Sequence, residues 1–575
     1  MLKKIFCLVL SLSLLISAFS ACSKSETESG ASSTPSDITS SENAEENKEN
    51  TDDFQPDDET DDDYETNSDD FEDEFVDDEI YYDELHVYNS QKPVISNYRS
   101  SASTIYHAFG FMKDDANGRV YTDKMLKTEV DRLADSGYRY VRTRYQSHWV
   151  WNNSKGWDFG SDRLGYITAY AKAKQEKNIE ILLQIGWHFS YVSEIGSSSI
   201  GEVSYLKGRG EDRFGESKGF DFTGMSDEDV RLVKAGRRMG NFITKTLLEL
   251  RSRGINNVNH LLYFVEPCND YQGESSATRE YVLVSRAIKD KMTEMGVANT
   301  VKHVGPNEVS RTGDNLLKYV LENDPDLFDI YSCHFYPKAS SITMDVFPEM
   351  TLPVYTSYLN HMKEAGLFGK KEFWIDEYDT QASDLSVKTN SGWHGLQVAS
   401  TAIVGQQLGI QNMIFWQLFD QLWTDNTSHG GEWEHGVHIT GIVPTLFESP
   451  TPQDQYYTLG LFTKYNGYKN GTVYKTNNSQ LIEDFAGIYI GAVKLEDGNW
   501  TVTVVNLDIM ERNIKIKFDN AINRTLYRHQ ETVNTVKATP DAKLKDADAT
   551  YLNVKDIVVD TVPAGSITVY TSIKG

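Results

Sequence analysis

Two glutamates stand where apolar runs of the sequence end. Glu266 closes the run YFVE at 263–266 and precedes a proline, and Glu377 closes the run FWIDE at 373–377. A carboxylate in such a place is often only a helix cap or an ion-pair partner, so neither glutamate alone indicates chemistry. As a pair they can divide labour, because one carboxylic acid can protonate a leaving oxygen while the other, ionised, attacks or activates water. Cleavage of a glycosidic bond requires this combination.

The elements that must position this pair alternate between short apolar runs and amphipathic stretches. Helix-like stretches lie at 124–136, 163–175, 230–251 and 276–295. The strand-like runs lie at 106–112, 138–144, 179–187, 260–266, 301–305, 328–336, 371–378 and 411–418. Eight such repeats predict an α/β fold, a closed (β/α)8 barrel. A doubly wound sheet is the structural rival, but no glycine-rich phosphate loop follows the first run, which counts against a nucleotide-binding version.

The spacing of the two glutamates fits opposite sides of such a barrel. Glu266 would end the fourth strand and Glu377 the seventh, and the 111 residues between them cover three strand–helix units. This is about 37 residues per unit, against roughly 31 in a barrel of average size. Active sites of these barrels are built at the carboxyl ends of the strands, so both carboxyl groups are expected to face one bound ligand.

The pattern changes after a helix predicted at 453–465. Runs at 487–495, 500–506, 512–518, 525–528 and 566–571 are separated by turn signals such as EDGN at 496–499. This rhythm predicts a C-terminal all-β sandwich. Residues 85–98 are expected to add a strand to it. The domains predicted from the sequence are a catalytic barrel at 83–467 and a sandwich at 468–575.

Several motifs around the two glutamates resemble clan A of the glycoside hydrolases, over roughly residues 100–575. The layout is most similar to families 39 and 5, followed by family 30. The resemblance implies that Glu266 is the acid/base and Glu377 the nucleophile of a retaining enzyme acting on β-linked glycans. It also implies a supporting set around the nucleophile and the sugar: Arg142 at the second strand, Trp187 and His188 at the third, His334 and Tyr336 in SCHFYP on the sixth, and Trp416 at the eighth.

One position departs from the clan pattern. The clan usually has asparagine before the acid/base glutamate, where its amide contacts the sugar 2-hydroxyl, and Val265 stands there instead. This leaves three readings open: an altered 2-position on the sugar, a compensating donor such as Asn269, or an inactive protein.

The roles of the carboxyl groups predict unlike protonation. Arg142 beside Glu377 should lower the pKa of the nucleophile, and a nearby anion with partial burial should keep Glu266 protonated. Asp376 is the rival nucleophile. Alternation along a strand predicts that Asp376 and Glu377 face opposite ways, which favours Glu377.

Aromatic residues supply a second signal for carbohydrate. Trp149, Trp151 and Trp157 follow the second strand, and further tryptophans follow the seventh and eighth. Flat apolar ring faces suit stacking against sugar C–H groups, although tryptophans are also common in cores. Histidines such as His435 and His438 invite a metal hypothesis, but the spacing of HExxH or of barrel metallohydrolases is missing. We therefore expect neither a metal nor a cofactor.

The N-terminus predicts export. Lys3 and Lys4 precede an apolar stretch of about fifteen residues, shorter than the roughly 20 that span a bilayer. Small residues then lead to Cys22, which resembles a bacterial lipoprotein signal at 1–22; an ordinary cleaved signal with a chance cysteine is the alternative. Residues 23–82 carry 24 acidic side chains against two lysines, a net charge of −22 out of −29 for the chain. This composition predicts a disordered tether that holds the protein at the outer face of the cell membrane.

The composition of the chain also bears on its binding partners. The sequence has no basic patch, which excludes nucleic-acid binding. The protein is expected to be a monomer. Cys268 and Cys333 form no disulfide framework and are predicted to be buried thiols.

Two other functions compete with the enzyme hypothesis. One is a non-catalytic, carbohydrate-binding surface lipoprotein on the same barrel. The other is a solute-binding lipoprotein, which normally has two doubly wound lobes and no terminal sandwich.

Overall fold

The computed structural model describes residues 81–103, 122–145, 151–152, 156–159, 162–185, 215–267, 275–309, 315–336, 338–339, 346–379, 381–382, 392–418, 421–422, 437–438, 451–467, 469–477 and 487–575. Cys22 and the predicted tether therefore lie outside the described residues. The described residues belong to one compact unit of the chain. Within these ranges, no helix combines the length and the apolar character that crossing a bilayer requires.

Among the described residues, eight parallel strands close into a barrel. In spatial order they are β2 (Ile95–Ser103), β3 (Tyr140–Arg144), β6 (Glu180–Gln184), β7 (Val258–Leu262), β8 (Lys302–Val309), β9 (Ile330–Phe335), β11 (Glu372–Tyr378) and β13 (Asn412–Phe415). The pairing of β13 with β2 closes the ring. The predicted barrel is confirmed, and its closure excludes an open doubly wound sheet.

The first strand is a correction to the sequence analysis. The strand-like run at 106–112 lies outside the described residues, and the strand that pairs with both β3 and β13 is β2, about ten residues earlier. Its sequence, ISNYRSSAS, is largely polar and therefore lacks the apolar run expected of a buried parallel strand.

Helices surround the barrel: α1 (Asp123–Asp135), α2 (Asp162–Glu176), α3 (Asp227–Ser252), α4 (Ser275–Glu294), α5 (Asn315–Asn323), α6 (Val346–Glu364), α7 (Gly392–Leu408) and α8 (Asp454–Gly467), with one 3₁₀ turn at Ala298–Thr300. Short two-residue strands also pair: β4 (Trp151–Asn152) with β5 (Gly156–Trp157), β10 (Lys338–Ala339) with β12 (Gln381–Ala382), and β14 (Gln421–Leu422) with β15 (Val437–His438).

The barrel interior is apolar on one layer and polar on the next. Seven of the eight strands contribute to the apolar layer: Tyr140, Leu182, Leu262, Val304, Ile330, Trp374 and Ile414. Because side chains alternate with a period of two, the residues two positions further along also face inward. On β3, β6 and β11 these are Arg142, Gln184 and Asp376, all buried and polar. The polar layer lies toward the carboxyl ends of the strands.

The C-terminal part is a sandwich of two sheets. One sheet contains β1 (Asp83–Val87), β19 (Arg512–Phe518) and β22 (Ile557–Val562). The other contains β16 (Gly471–Tyr474), β17 (Ile488–Leu495), β18 (Trp500–Asn506), β23 (Ser566–Thr571), β20 (Arg524–Thr532) and β21 (Ala549–Val554). Apolar side chains from both sheets, including Leu85, Ile516 and Val502, fill the space between them.

The sandwich and the barrel share a strand and a core. Ile95 and Tyr98 of β2 pair with β16 of the sandwich, while the later residues of β2 pair inside the barrel. Val505 and Ile567 of the second sheet belong to the same buried cluster as the helices of the barrel. The predicted division at residue 467 coincides with the end of α8, and as a boundary between domains it stays a prediction.

Candidate active site

The two glutamates meet at the carboxyl ends of the barrel strands, on either side of one histidine. His334, on β9, is fully buried, and its Nδ1 lies 3.2 Å from Glu266 Oε1 and 3.1 Å from Glu377 Oε2. One ligand atom from each of these three residues lies within 4.8 Å of the other two. Carboxyl groups about 5–5.5 Å apart fit double displacement, whereas a water-activating pair needs roughly 6.5–9.5 Å.

Glu377 is surrounded by hydrogen-bond donors. Its Oε1 lies 2.6 Å from the guanidinium of Arg142, and its Oε2 accepts a hydrogen bond of 2.7 Å from the hydroxyl of Tyr336. Burial raises the pKa of Tyr336 well above its ordinary value, so this hydroxyl keeps its proton and donates. The site residues predicted at Arg142, His334 and Tyr336 thus all contact Glu377 or its neighbours.

Arg142 is held in turn by the polar layer of the barrel. Gln184 Oε1 accepts from Arg142 Nε at 3.1 Å and from Nη2 at 2.9 Å, while Nη1 donates to the carbonyl of Asp376 at 2.8 Å. Three hydrogen bonds besides the contact with Glu377 therefore fix the orientation of the guanidinium, so the ion pair is held rigidly.

The predicted effect of Arg142 on Glu377 is only part of the balance. Burial is the largest influence and raises the pKa of Glu377. Arg142, His334 and Tyr336 lower this pKa, and the nearby Glu266 raises it. Arg142 does lower the pKa of this carboxyl, as expected, but burial outweighs Arg142 and the pKa is raised above its ordinary value.

This raised pKa predicts the acid side of the pH profile. An attacking carboxylate must be ionised, so activity should be lost as the pH falls through the pKa of Glu377. The acid limb of kcat/KM should therefore lie above the value of about 4.3 that is ordinary for glutamate. A pH–rate profile on an activated aryl glycoside measures this midpoint, and a limb at or below the ordinary value would contradict the burial argument.

A bulge places both neighbouring carboxylates inside the barrel. Along β11, Ile375 pairs with Cys333 and Glu377 with His334, which leaves Asp376 as an extra residue. Asp376 continues the inward face of Trp374, and the bulge turns Glu377 inward as well. The prediction that Asp376 and Glu377 face opposite ways is therefore wrong. The two carboxylates differ in their surroundings. Asp376 has 0% exposure and accepts hydrogen bonds from Ser332 and Asn307. Glu377 contacts Arg142 and Tyr336.

Glu266 follows β7 in a left-handed conformation, with φ of 41°. Its side chain is 19% exposed, more than that of Glu377 at 6%. Its backbone N–H donates to Asn307 Oδ1 at 2.9 Å. This carboxyl group therefore stands nearer to solvent than Glu377 does.

A third carboxylate at a strand end caps a helix. Glu308, on β8, is buried and accepts hydrogen bonds from the backbone N–H groups of Leu316 and Leu317, at 3.0 and 2.7 Å. It caps the first turn of α5, which is the common use of such a residue.

The three convergent ligand atoms of Glu266, His334 and Glu377 also raise the question of a metal ion. The guanidinium of Arg142 lies 2.6 Å from Glu377, and its positive charge opposes a cation beside that carboxylate. An N–H on His334 Nδ1 would donate to the two carboxylates that this nitrogen faces. The chemistry of these groups suits an organic substrate better than a metal.

Other predicted site residues are only partly described. Trp416 follows β13, is half-buried, and its backbone N–H donates to the carbonyl of Tyr378 at 2.9 Å. The main chain of Trp151 lies in β4. Trp149, Trp187, His188 and Asn269 lie outside the described residues, so their predicted roles stay predictions.

Three features of the site were not predicted from the sequence: Asn307, Gln184, and the sharing of the barrel interior by Asp376 and Glu377. Gln184 follows Leu182 by two residues on a predicted strand, so its inward direction could have been inferred. Asn307 and Asp376 are extra residues of bulges on either side of β9, and alternation along a strand predicts neither the inward side chain of Asn307 nor the presence of Glu377 inside the barrel beside Asp376.

Comparisons with known proteins show where else this fold occurs. No protein-family model matches the sequence, and no curated protein does. Among solved structures, the chain is similar to a family 30 endoxylanase from Clostridium papyrosolvens C71, with 13% identity, 85% of this chain and 100% of that chain covered, and a TM-score of 0.54.

Two further structures are similar over most of their length. A family 39 enzyme from Xanthomonas axonopodis pv. citri has 11% identity, covers 87% of this chain and 99% of that one, and gives a TM-score of 0.54. A family 51 arabinofuranosidase from the same organism has 12% identity, covers 85% and 99%, and gives 0.51. These likenesses extend over the barrel and the sandwich together.

Proposed function

We propose that this protein is a retaining glycoside hydrolase that cleaves β-linked polysaccharides or oligosaccharides by double displacement. The observation that carries the proposal is the convergence of Glu266 and Glu377: one carboxyl oxygen of each lies within 4.8 Å of the other, beside His334. The similarity of the fold to glycoside hydrolases of families 30, 39 and 51 supports the same reaction class.

In the first step, Glu377 is the nucleophile. Its carboxylate oxygen forms a bond to the anomeric carbon as the bond to the leaving oxygen breaks, and Glu266 gives its proton to that oxygen. Arg142 and Tyr336 hold the attacking carboxylate in place, which removes the cost of orienting it during the reaction.

In the second step, water displaces Glu377 from the anomeric carbon. Glu266, now ionised, takes a proton from the water as the water oxygen attacks the anomeric carbon, and Glu377 leaves as a carboxylate. The greater exposure of Glu266 suits this role, because both the leaving group and the incoming water approach from its side.

A screen on a polysaccharide panel tests the proposal. The full chain is incubated with xylan, β-glucan, β-mannan, β-galactan and the matching 4-nitrophenyl β-glycosides, and the products are sized. The Glu377→Gln variant serves as the blank. Release of reducing ends above this blank on at least one substrate supports the proposal, whereas equal release by both proteins on every substrate contradicts it.

We also propose that the enzyme acts outside the cell as a monomer, anchored to the membrane through a lipid on Cys22. The support is the sequence pattern at 1–22 and the acidic composition of 23–82. Fractionation of cells that produce Cys22→Ala tests the anchor. The variant should leave the membrane fraction, and retention there would contradict a lipid on this cysteine.

A further inference from the structure

Asn307 occupies the centre of a hydrogen-bond network that the reaction itself does not use. It is the extra residue of a bulge in β8, since Pro306 pairs with Ser332 and Glu308 with Cys333. Its backbone is left-handed, with φ of 65°, and its side chain is completely buried. A buried amide in a bulge costs stability unless its polar atoms are bonded, so its contacts indicate its role.

The orientation of the Asn307 amide follows from two unambiguous neighbours. Its Oδ1 lies 2.9 Å from the backbone N–H of Glu266, which can only donate. Its Nδ2 bonds to Oδ2 of Asp376, and a carboxylate can only accept. The oxygen of the amide must therefore face Glu266 and the nitrogen must face Asp376.

This orientation decides which nitrogen of His334 carries the proton. The amide nitrogen of Asn307, a donor, lies 2.6 Å from His334 Nε2, and Nη1 of Arg142, also a donor, lies 3.3 Å from the same atom. The carboxylate oxygen Asp376 Oδ1 is also near Nε2, at 3.5 Å, but both donors are closer, so Nε2 accepts and the proton of the neutral imidazole is on Nδ1. That N–H points at Oε1 of Glu266 and Oε2 of Glu377.

We infer that Asn307 is a positioning residue that selects the Nδ1–H tautomer of His334 and holds the main chain of Glu266, so that one imidazole N–H serves both carboxyl groups. The inference rests on the proposed function for its catalytic meaning. In the other tautomer, the lone pair of Nδ1 would face two carboxyl groups, and His334 could no longer stabilise the ionised form of either.

The charges around the imidazole show why a selecting group is needed. The carboxylates of Glu377, Asp376 and Glu266 face the ring from β11 and from the end of β7, and the guanidinium of Arg142 faces it from β3. Burial lowers the pKa of His334, but the carboxylates outweigh burial and raise it. The carboxylates thus favour a second proton on the ring, and the N–H donor of Asn307 beside Nε2 opposes it.

The first test measures the tautomer in the unaltered full chain. With histidine labelled in ¹⁵N, two-bond ¹H–¹⁵N spectra distinguish a protonated ring nitrogen from an unprotonated one. The signal of His334 is assigned by its loss in His334→Asn. In the neutral form we expect Nδ1 to be protonated and Nε2 not, and a proton on Nε2 would overturn the inference. The result depends on no enzymatic activity, so it stays informative if the proposed function fails.

The second test exchanges the donor for an acceptor. In Asn307→Asp, one oxygen still accepts from Glu266, but the other cannot donate to Asp376 and instead accepts from Nε2. The imidazole should then carry a proton on Nε2 and stay doubly protonated to higher pH. We expect kcat/KM on an activated aryl glycoside to fall by roughly 10²-fold, the scale of a misplaced catalytic group, with a changed pH profile.

A matched control separates positioning from stability. Asn257 is a buried amide at the amino end of the barrel, and its Nδ2 donates to the carbonyls of Ala171 and Ile179 at 3.0 and 2.9 Å. Asn257→Asp makes the same chemical change away from the site, so it should lower thermal stability but leave the His334 signals and the pH profile unchanged. If Asn307→Asp behaves like this control, Asn307 has only a structural role.

Discussion

Replacing Glu377 with glutamine should lower kcat by roughly 10⁴-fold or more, the scale seen when a nucleophile is removed, while sugar binding is largely retained. The amide has nearly the shape of the carboxylate, so Tyr336 and His334 keep a partner oxygen. It lacks the charge that attacks the anomeric carbon. Kinetics and calorimetric titration with an oligosaccharide product measure the two effects separately, and unchanged turnover would eliminate Glu377 as the nucleophile.

Glu372 provides a matched control on the same strand. It stands at the opposite end of β11, and its Oε2 accepts a hydrogen bond of 2.8 Å from Trp374 Nε1. Glu372→Gln makes the identical chemical change below the apolar layer of the barrel, so its turnover should stay within a few-fold of the unaltered protein. A loss as large as that of Glu377→Gln would mean that the change acts through the fold.

Azide distinguishes Glu377 from its rival, Asp376. In Glu377→Ala the vacated space admits azide, which attacks the anomeric carbon of an activated aryl glycoside as the phenolate leaves. The product should be a glycosyl azide of inverted configuration. If Asp376→Ala yields that product and Glu377→Ala does not, the roles of the two neighbours are exchanged.

Replacing Glu266 with alanine should harm poor leaving groups far more than good ones. A natural alkoxide leaving group needs the proton of Glu266, so its rate should fall by about 10²–10⁴-fold, the usual contribution of general acid catalysis. A 4-nitrophenolate needs no proton, so its departure should be much less affected. A series of aryl glycosides with increasing leaving-group pKa measures this dependence.

The same variant also separates the two steps. Azide should accelerate it on activated substrates and yield a glycosyl azide of retained configuration, because azide attacks the glycosyl enzyme without needing a base. Equal losses on good and poor leaving groups, together with no effect of azide, would argue against an acid/base role for Glu266.

The barrel was predictable wherever its strands are buried on both sides. β11 and β9 read as apolar runs ending in polar residues, and the motifs around Glu377, His334 and Tyr336 lie where the runs predict. β2 was not predicted, because its inward and outward positions are mostly serine, asparagine and arginine. Its place in the structure is set by pairing with sandwich strand β16 at one end and with β3 and β13 at the other, which are tertiary contacts that local sequence does not report.

The sandwich shows the same limit. β21 and β22 were not predicted, and their alternation is obscured by exposed apolar residues such as Leu552, Ile557 and Val559. Strand propensity alone does not distinguish such edge strands from loops.

The details of the site that the sequence could not predict arise from two bulges. Alternation assigns Asp376 to the interior and Glu377 to the helical layer, and only the extra residue in β11 brings both inside. Asn307 has a left-handed backbone after Pro306, a conformation that asparagine tolerates but that no spacing rule foretells. The balance of burial against charge at Glu377 likewise depends on depth, which motifs do not encode.

The stereochemistry of hydrolysis tests the central claim most directly. ¹H NMR of a β-linked substrate during its first minutes of cleavage shows which anomer is released before mutarotation mixes them. If Glu266 and Glu377 work on one sugar ring at the separation seen here, the β-anomer should appear first. Release of the α-anomer first would mean a single displacement by water, and it would contradict a covalent role for Glu377.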